Sequence, residues 1–214
     1  MIKANPARHR LVQVEGPPLP RAFYERDTIT VARELLGQIL VHQPAKGPDC
    51  AGRIVEVEAY VREYLGERDR AAHADRGLTP RTRVLFGPGG HAYVYLIYGM
   101  HECLNVVTEP SGVPGCVLIR ALEPITGMDA MQRRRPAVKP ALLCAGPGNL
   151  TRALGISRRN YGADLAASAG QLTIRPGPPV LEATGATARV GIRQGIDWPL
   201  RFYLAENRAV TRHP

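Results

Sequence analysis

Two side chains early in the sequence could do acid–base and stacking chemistry together. Glu58 and Tyr60 stand two positions apart in the β-branched run Gly52-Arg-Ile-Val-Glu-Val-Glu-Ala-Tyr60, and His73 follows thirteen residues after Tyr60. In a strand, period two turns Glu56, Glu58 and Tyr60 to one face. A carboxylate on a mostly apolar strand is costly unless it meets solvent or a polar pocket. Solvent is the simpler reading for an isolated glutamate. The company of Tyr60, a further tyrosine cluster at Tyr93, Tyr95 and Tyr98, and Arg120 favours the pocket.

Charge supplies the second clue. The 214 residues carry 28 Lys+Arg against 19 Asp+Glu, a net charge of +9, and Lys3, Lys46 and Lys139 are the only lysines. Arginine makes paired hydrogen bonds to phosphate, so a polyanion is a reasonable partner, although a high-GC genome also favours arginine codons. Two stretches are acid-free: Arg76 to His101, with Arg76, Arg81, Arg83 and the tyrosines, and Met131 to Ala163, with Arg133, Arg134, Arg135, Lys139, Arg152, Arg158 and Arg159. Cations beside aromatic rings suit nucleic acid, because charges neutralise phosphates while rings stack on bases. A solvated basic face over core tyrosines is the alternative. Gly87-Pro-Gly-Gly90 reads as a turn, and Gly146-Pro-Gly148 as either a phosphate contact or a plain helix start.

Other chemistries find less support. Cys50, Cys103, Cys116 and Cys144 are 53, 13 and 28 positions apart, with no C-x-x-C pair and no histidine cluster, so no metal site and no cofactor are expected. The thiols read as reduced, partly buried apolar residues. No apolar run approaches the roughly 20 residues of a membrane helix, and the N-terminal MIKANPARHR does not resemble a secretory signal. A cytoplasmic protein, nucleoid-associated if bacterial, is expected.

The elements that must position these residues follow from pattern. Residues 1–19, with Pro6, Pro17 and Pro18, read as a flexible leader, and 20–214 as one domain. Asp27 or Thr28 caps a helix ending at Gly37, followed by strands over 38–42 and 52–60, a polar segment over 61–83, and strands over 92–98 and 104–108. The last two form a protruding hairpin whose tip lies near Tyr98. A strand over 116–122, a helix over 126–134, a helix after Gly148, and short strands around Leu172, Val190 and Phe202 complete the chain. Strands and helices do not alternate strictly, so the expected class is α+β, a single domain with a curved, mainly antiparallel sheet flanked by helices.

A resemblance now becomes specific. Glu56-Val-Glu-Ala-Tyr60, Asp69-Arg-Ala-Ala-His73, Gly77-Leu-Thr-Pro-Arg81, Tyr93-Val-Tyr-Leu-Ile-Tyr-Gly99, Asn105 and Val117-Leu-Ile-Arg-Ala-Leu-Glu-Pro124 resemble the alkyladenine (3-methyladenine) DNA glycosylase family of the mammalian type. Gly146-Pro-Gly-Asn-Leu-Thr-Arg-Ala-Leu-Gly155, Ala188-Arg-Val-Gly-Ile192 and Leu200-Arg-Phe-Tyr203 extend it over nearly everything from Arg21 to Tyr203. The 61–72 segment is a few residues longer than the family spacing.

The resemblance implies a role for each matched residue. Glu58 would activate water and Arg120 would help hold it. Tyr60, His73 and Tyr95 would sandwich an extruded base, Tyr98 would fill the gap left in the duplex, and Asn105 would screen purines at the pocket edge. The implied partner is double-stranded DNA carrying damaged purines, acted on by a monomer without membrane contact. The implied reaction is monofunctional hydrolysis of the N-glycosidic bond, leaving an abasic site for base excision repair. A non-catalytic damaged-DNA or RNA binding protein is the rival reading.

Overall fold

The asparate-capped start of the first long helix shows how local chemistry sets the elements. Asp27 accepts a hydrogen bond from the backbone N–H of Thr30 at 2.8 Å, which satisfies one donor that the first helical turn leaves free. The helix ends at Leu35, and Gly37 follows with φ +85°, the left-handed conformation that lets the chain turn back into the sheet.

A computed structural model describes residues 16–211. In chain order its elements are α1 (Arg21–Tyr24), α2 (Thr28–Leu35), β1 (Ile39–His42), β2 (Cys50–Tyr60), β3 (Glu63–Tyr64), β4 (Glu67–Arg68), β5 (Ala92–Ile97) and β6 (His101–Thr108). Then come β7 (Gly115–Thr126), α3 (Met128–Arg134), α4 (Pro147–Leu154), β8 (Leu172–Arg175), β9 (Thr184–Thr187) and β10 (Arg201–Leu204). The main sheet runs β5-β6-β7-β2-β1-β8, and all its pairings are antiparallel. Along one edge β2 pairs first with β1 and then with β10, which in turn carries β9. This is the expected α+β sheet.

Period two divides the sheet into two working faces. Val57, Ala59, Ala92, Val94, Leu104, Val106, Val117, Ile119 and Ala121 join one apolar cluster with Val31 and Leu35 of α2 and Leu150 and Leu154 of α4. The intervening residues Glu58, Tyr60, Tyr93, Tyr95, Cys103, Asn105, Cys116, Leu118 and Arg120 line a cavity on the other side. Burying that helix-covered face drives folding, at roughly 1.5–3 kcal/mol per fully buried large aliphatic side chain. The opposite face is thereby free to carry polar groups. Register shifts on either side of Glu56 mark β-bulges in β2, so Ile54 and Val55 both join the apolar cluster while Glu56 faces away from it. Such bulges re-aim a side chain and bend the strand.

Several expectations need correction. The strand expected around Val190 lies instead at Thr184–Thr187, and Val190 stands in the loop that follows. The returning hairpin strand begins at His101, three residues before the expected Leu104. The 61–83 segment is not merely polar: it holds β3 and β4, 3-10 turns at His73–Arg76 and Arg83–Phe86, and the buried Asp69. Residues 1–15 of the expected leader lie outside the described residues. At the leader's end Leu19 is buried, and its N–H donates to the Ile174 carbonyl at 2.8 Å. No helix among the described residues is long and apolar enough to cross a membrane.

Candidate active site

The strongest local constraint in the site is a buried charge network on the central strands. Glu56 and Glu58 are both fully buried, which excludes the solvent reading of Glu58. Glu56 accepts from Arg120 Nε at 2.8 Å, Arg201 Nε at 2.8 Å and the Thr211 N–H at 2.8 Å. Burial alone would raise its carboxyl, but Arg120 and the Thr211 amide outweigh that and hold it below the ordinary value. For Arg120, burial would lower the guanidinium, and Glu58 and Glu56 together raise it instead. Both charges are therefore kept.

Glu58 is held from three directions. Its Oε1 accepts from the Val190 N–H at 2.7 Å and lies 3.1 Å from Arg120 Nη1, while its Oε2 accepts from the Tyr60 hydroxyl at 2.9 Å. Burial and then the Glu58 charge push the Tyr60 phenol well up, so it remains a donor. Oε2 keeps a lone pair for a further donor. The carboxylate sits in the wall of a cavity of about 460 Å³, within the size range of small-molecule sites.

All seven candidate residues, Glu58, Tyr60, His73, Tyr95, Tyr98, Asn105 and Arg120, line this one cavity. His73 lies in the cavity although the segment before it holds the β3–β4 hairpin, which turns at Leu65 and Gly66, both with positive φ. His73 meets Tyr95 edge to face, with ring centres 4.6 Å apart, and hydrogen-bonds the Tyr93 hydroxyl through Nδ1 at 2.8 Å. Burial, with help from Arg81 and Arg76, lowers the His73 imidazole to about 4, so it is neutral near pH 7. Burial raises Tyr93 to about 12 and Tyr95 further. Asn105 donates to the Tyr93 carbonyl at 3.2 Å and accepts from the Cys116 thiol at 3.8 Å. The cavity is thus aromatic and uncharged on one side and carboxylate-bearing on the other.

Tyr98 stands apart at the rim, 82% exposed. It and Gly99 both have positive φ, and the Met100 N–H closes the turn onto the Ile97 carbonyl at 3.2 Å. Positive φ at both central positions is what a primed hairpin turn requires. A tyrosine is an uncommon residue there.

The two glycine motifs separate. Gly89 and Gly90 pack on Tyr24, where added Cβ atoms would come within 3.0 and 2.7 Å, so Gly87-Pro-Gly-Gly90 is a close-packed turn. Gly146-Pro-Gly148 opens α4 and borders the cavity, with Gly148 pressed on His101. Of the basic stretches, Arg76, Arg81, Arg83, Arg133, Lys139, Arg152, Arg158 and Arg159 are exposed. Arg134 instead donates to the Ala153 carbonyl at 2.7 Å, near the end of α4. All four cysteines are buried and unpaired with one another. No metal-sized group of His, Cys, Asp or Glu occurs among the described residues.

Residues outside the initial seven complete the site. The Val190 amide, Thr211, Glu56 as a partner of Arg120, and a buried Asp69–Arg189 pair carry no local signal of a role, although all but Thr211 fall inside the matched motifs.

The polar face of the antiparallel sheet thus forms an aromatic cavity around a buried carboxylate. Comparison with known proteins gives the family. The methylpurine-DNA glycosylase family model matches residues 22–208. A protein of Methanoculleus marisnigri, provisionally named a 3-methyladenine DNA glycosylase, is 53% identical over 196 residues, covering 91% of this chain and 98% of its own. Provisionally so named too are a Methanocella arvoryzae protein, 50% identical over 92% of this chain and 96% of its own, and a Myxococcus xanthus protein, 44% identical over 92% and 94%. The chain belongs to the methylpurine-DNA glycosylase family.

Proposed function

We propose that this protein is a monofunctional glycosylase that extrudes alkylated purines such as 3-methyladenine from duplex DNA and hydrolyses their N-glycosidic bond. The observation that carries the reading is Glu58: fully buried, fixed by two hydrogen-bond donors and an ion pair with Arg120, and facing a cavity walled by Tyr60, His73 and Tyr95.

The chemistry follows from the parts. A base inside a duplex is out of reach, so it leaves the stack at a cost of a few kcal/mol, and Tyr98 at the exposed hairpin tip fills the gap. A purine alkylated at N3 is cationic, and each aromatic face against it adds about 1 kcal/mol. Water held by Glu58 and Arg120 attacks the anomeric carbon as the bond to the purine nitrogen breaks. The bonding pair leaves with the base, Glu58 takes the water proton, and its charge steadies the developing oxocarbenium. Asn105, buried and fixed at both ends of its amide, screens the purine edge. Neither Lys46 nor Lys139 lines the cavity, which supports attack by water over a Schiff base.

The test is incubation with duplexes that each carry one defined lesion, followed by alkaline cleavage and, in parallel, borohydride trapping. Excision of alkylated purines without a trapped adduct is expected. Binding without excision would leave a damage-recognition protein, and preference for single-stranded RNA would overturn the reading altogether.

A further inference from the structure

We infer that Asp69 and Arg189 are positioning residues: their buried ion pair holds the Val190 N–H on Glu58 and the Tyr60 ring in place, and so sets the rate of bond cleavage. The inference rests on the reading of Glu58 as the base.

Both side chains of the pair are completely buried, and the contact is two-pronged, with Arg189 Nη1 to Asp69 Oδ2 at 2.6 Å and Nη2 to Oδ1 at 2.8 Å. Two buried charges seldom improve on a well-packed apolar pair in stability. A role in geometry explains them better, and their contacts show which geometry.

Asp69 reaches two segments. Its Oδ2 accepts from the Val61 N–H at 3.2 Å, just past the end of β2, and its Oδ1 accepts from the Ala71 N–H at 3.2 Å, two residues before His73. Arg189 reaches the others. Nη1 also donates to the Ala59 carbonyl at 3.0 Å, between Glu58 and Tyr60, and its guanidinium lies 4.7 Å from the Tyr60 ring centre. Trp198 lies on it as well, at 5.8 Å. The next residue, Val190, places its N–H 2.7 Å from Glu58 Oε1.

One ion pair thus ties the end of β2, the approach to His73 and the 188–192 loop. That loop has no strand pairing of its own at Val190, three residues past the end of β9, and the buried pair anchors it there. A flat, forked guanidinium can meet the carboxylate, the carbonyl and the ring at once, whereas an ammonium cannot.

Arg189→Lys keeps the charge and loses the fork. Single-turnover excision at saturating enzyme is expected to fall at least tenfold, while affinity for the lesion duplex stays within about threefold. Arg53→Lys is the control, since Arg53 pairs with Glu182 outside the cavity; at a matched loss of melting temperature it should keep the wild-type rate. A second variant replaces Val190 by its α-hydroxy acid, which removes only the N–H, and should show the same split between rate and affinity. The proposal fails if Arg189→Lys loses stability yet keeps its rate, if rate and affinity fall in proportion, or if the Val190 ester cleaves at the wild-type rate. Wild-type rates in Glu58→Gln would instead overturn the reading of the base itself, and the positioning role with it.

Discussion

The closed end of the sheet and the tip of the hairpin lie on one cavity and are built oppositely. At the closed end Glu56, Glu58, Arg120 and Arg201 are at most 6% exposed and bound to one another through three antiparallel strands. At the tip Tyr98 is 82% exposed and Met100 72%, held by a single tight turn. On the proposed function, proton transfer, which needs fixed distances, falls where the backbone is over-determined. Insertion into a duplex, which needs reach, falls on that reading where little else is packed. Substitutions at the two ends should therefore fail in different ways.

The largest effect is expected for Glu58→Gln. The amide keeps the shape and cannot take the water proton, so single-turnover excision should fall ~10²–10⁴-fold with lesion binding preserved. Near-normal turnover would remove Glu58 from the mechanism.

Glu56→Ala probes the same end through stability. It removes a carboxylate that two buried guanidiniums share. Breaking a buried pair costs about 3–5 kcal/mol, readable as a lowered urea midpoint. A loss below about 1 kcal/mol would mean the network is not the rigid part of the comparison.

Tyr98→Ala probes the tip. Melting should not move, because the ring is exposed, while lesion-duplex binding weakens by about 1–3 kcal/mol, the range for one base–ring stack. A collapse in melting temperature with intact binding would reverse the contrast between the two ends.

The last effect concerns acid. The folded His73 titrates near 4 against an ordinary value of 6.5, so the unfolded chain binds more protons between these values. Stability should then be lost as pH falls from about 6.5 to about 4. His42, also lowered by burial, acts in the same sense. Chemical denaturation of His73→Asn across this window should show a shallower acid loss than the wild type, and an unchanged slope would mean that His73 is solvated.

Sequence alone determined what depends on neighbours along the chain. Period two put Glu56, Glu58 and Tyr60 on one face, and a cap at Asp27 or Thr28 together with Gly37 bracketed α2. The hairpin tip fell at Tyr98, because caps, turns and alternation are local. The resemblance added Asn105 and an expected role for each of the seven candidate residues. Tertiary structure alone decided whether Glu58 met water or a pocket, because alternating carboxylates look the same on a solvated face and in a buried network. It alone also brought the Val190 amide to Glu58, Arg189 to Asp69 and Thr211 to Glu56 across 132, 120 and 155 positions. Contacts that long leave no period in the sequence; they exist only once the apolar face of the sheet has closed against α2 and α4 and brought the distant segments together.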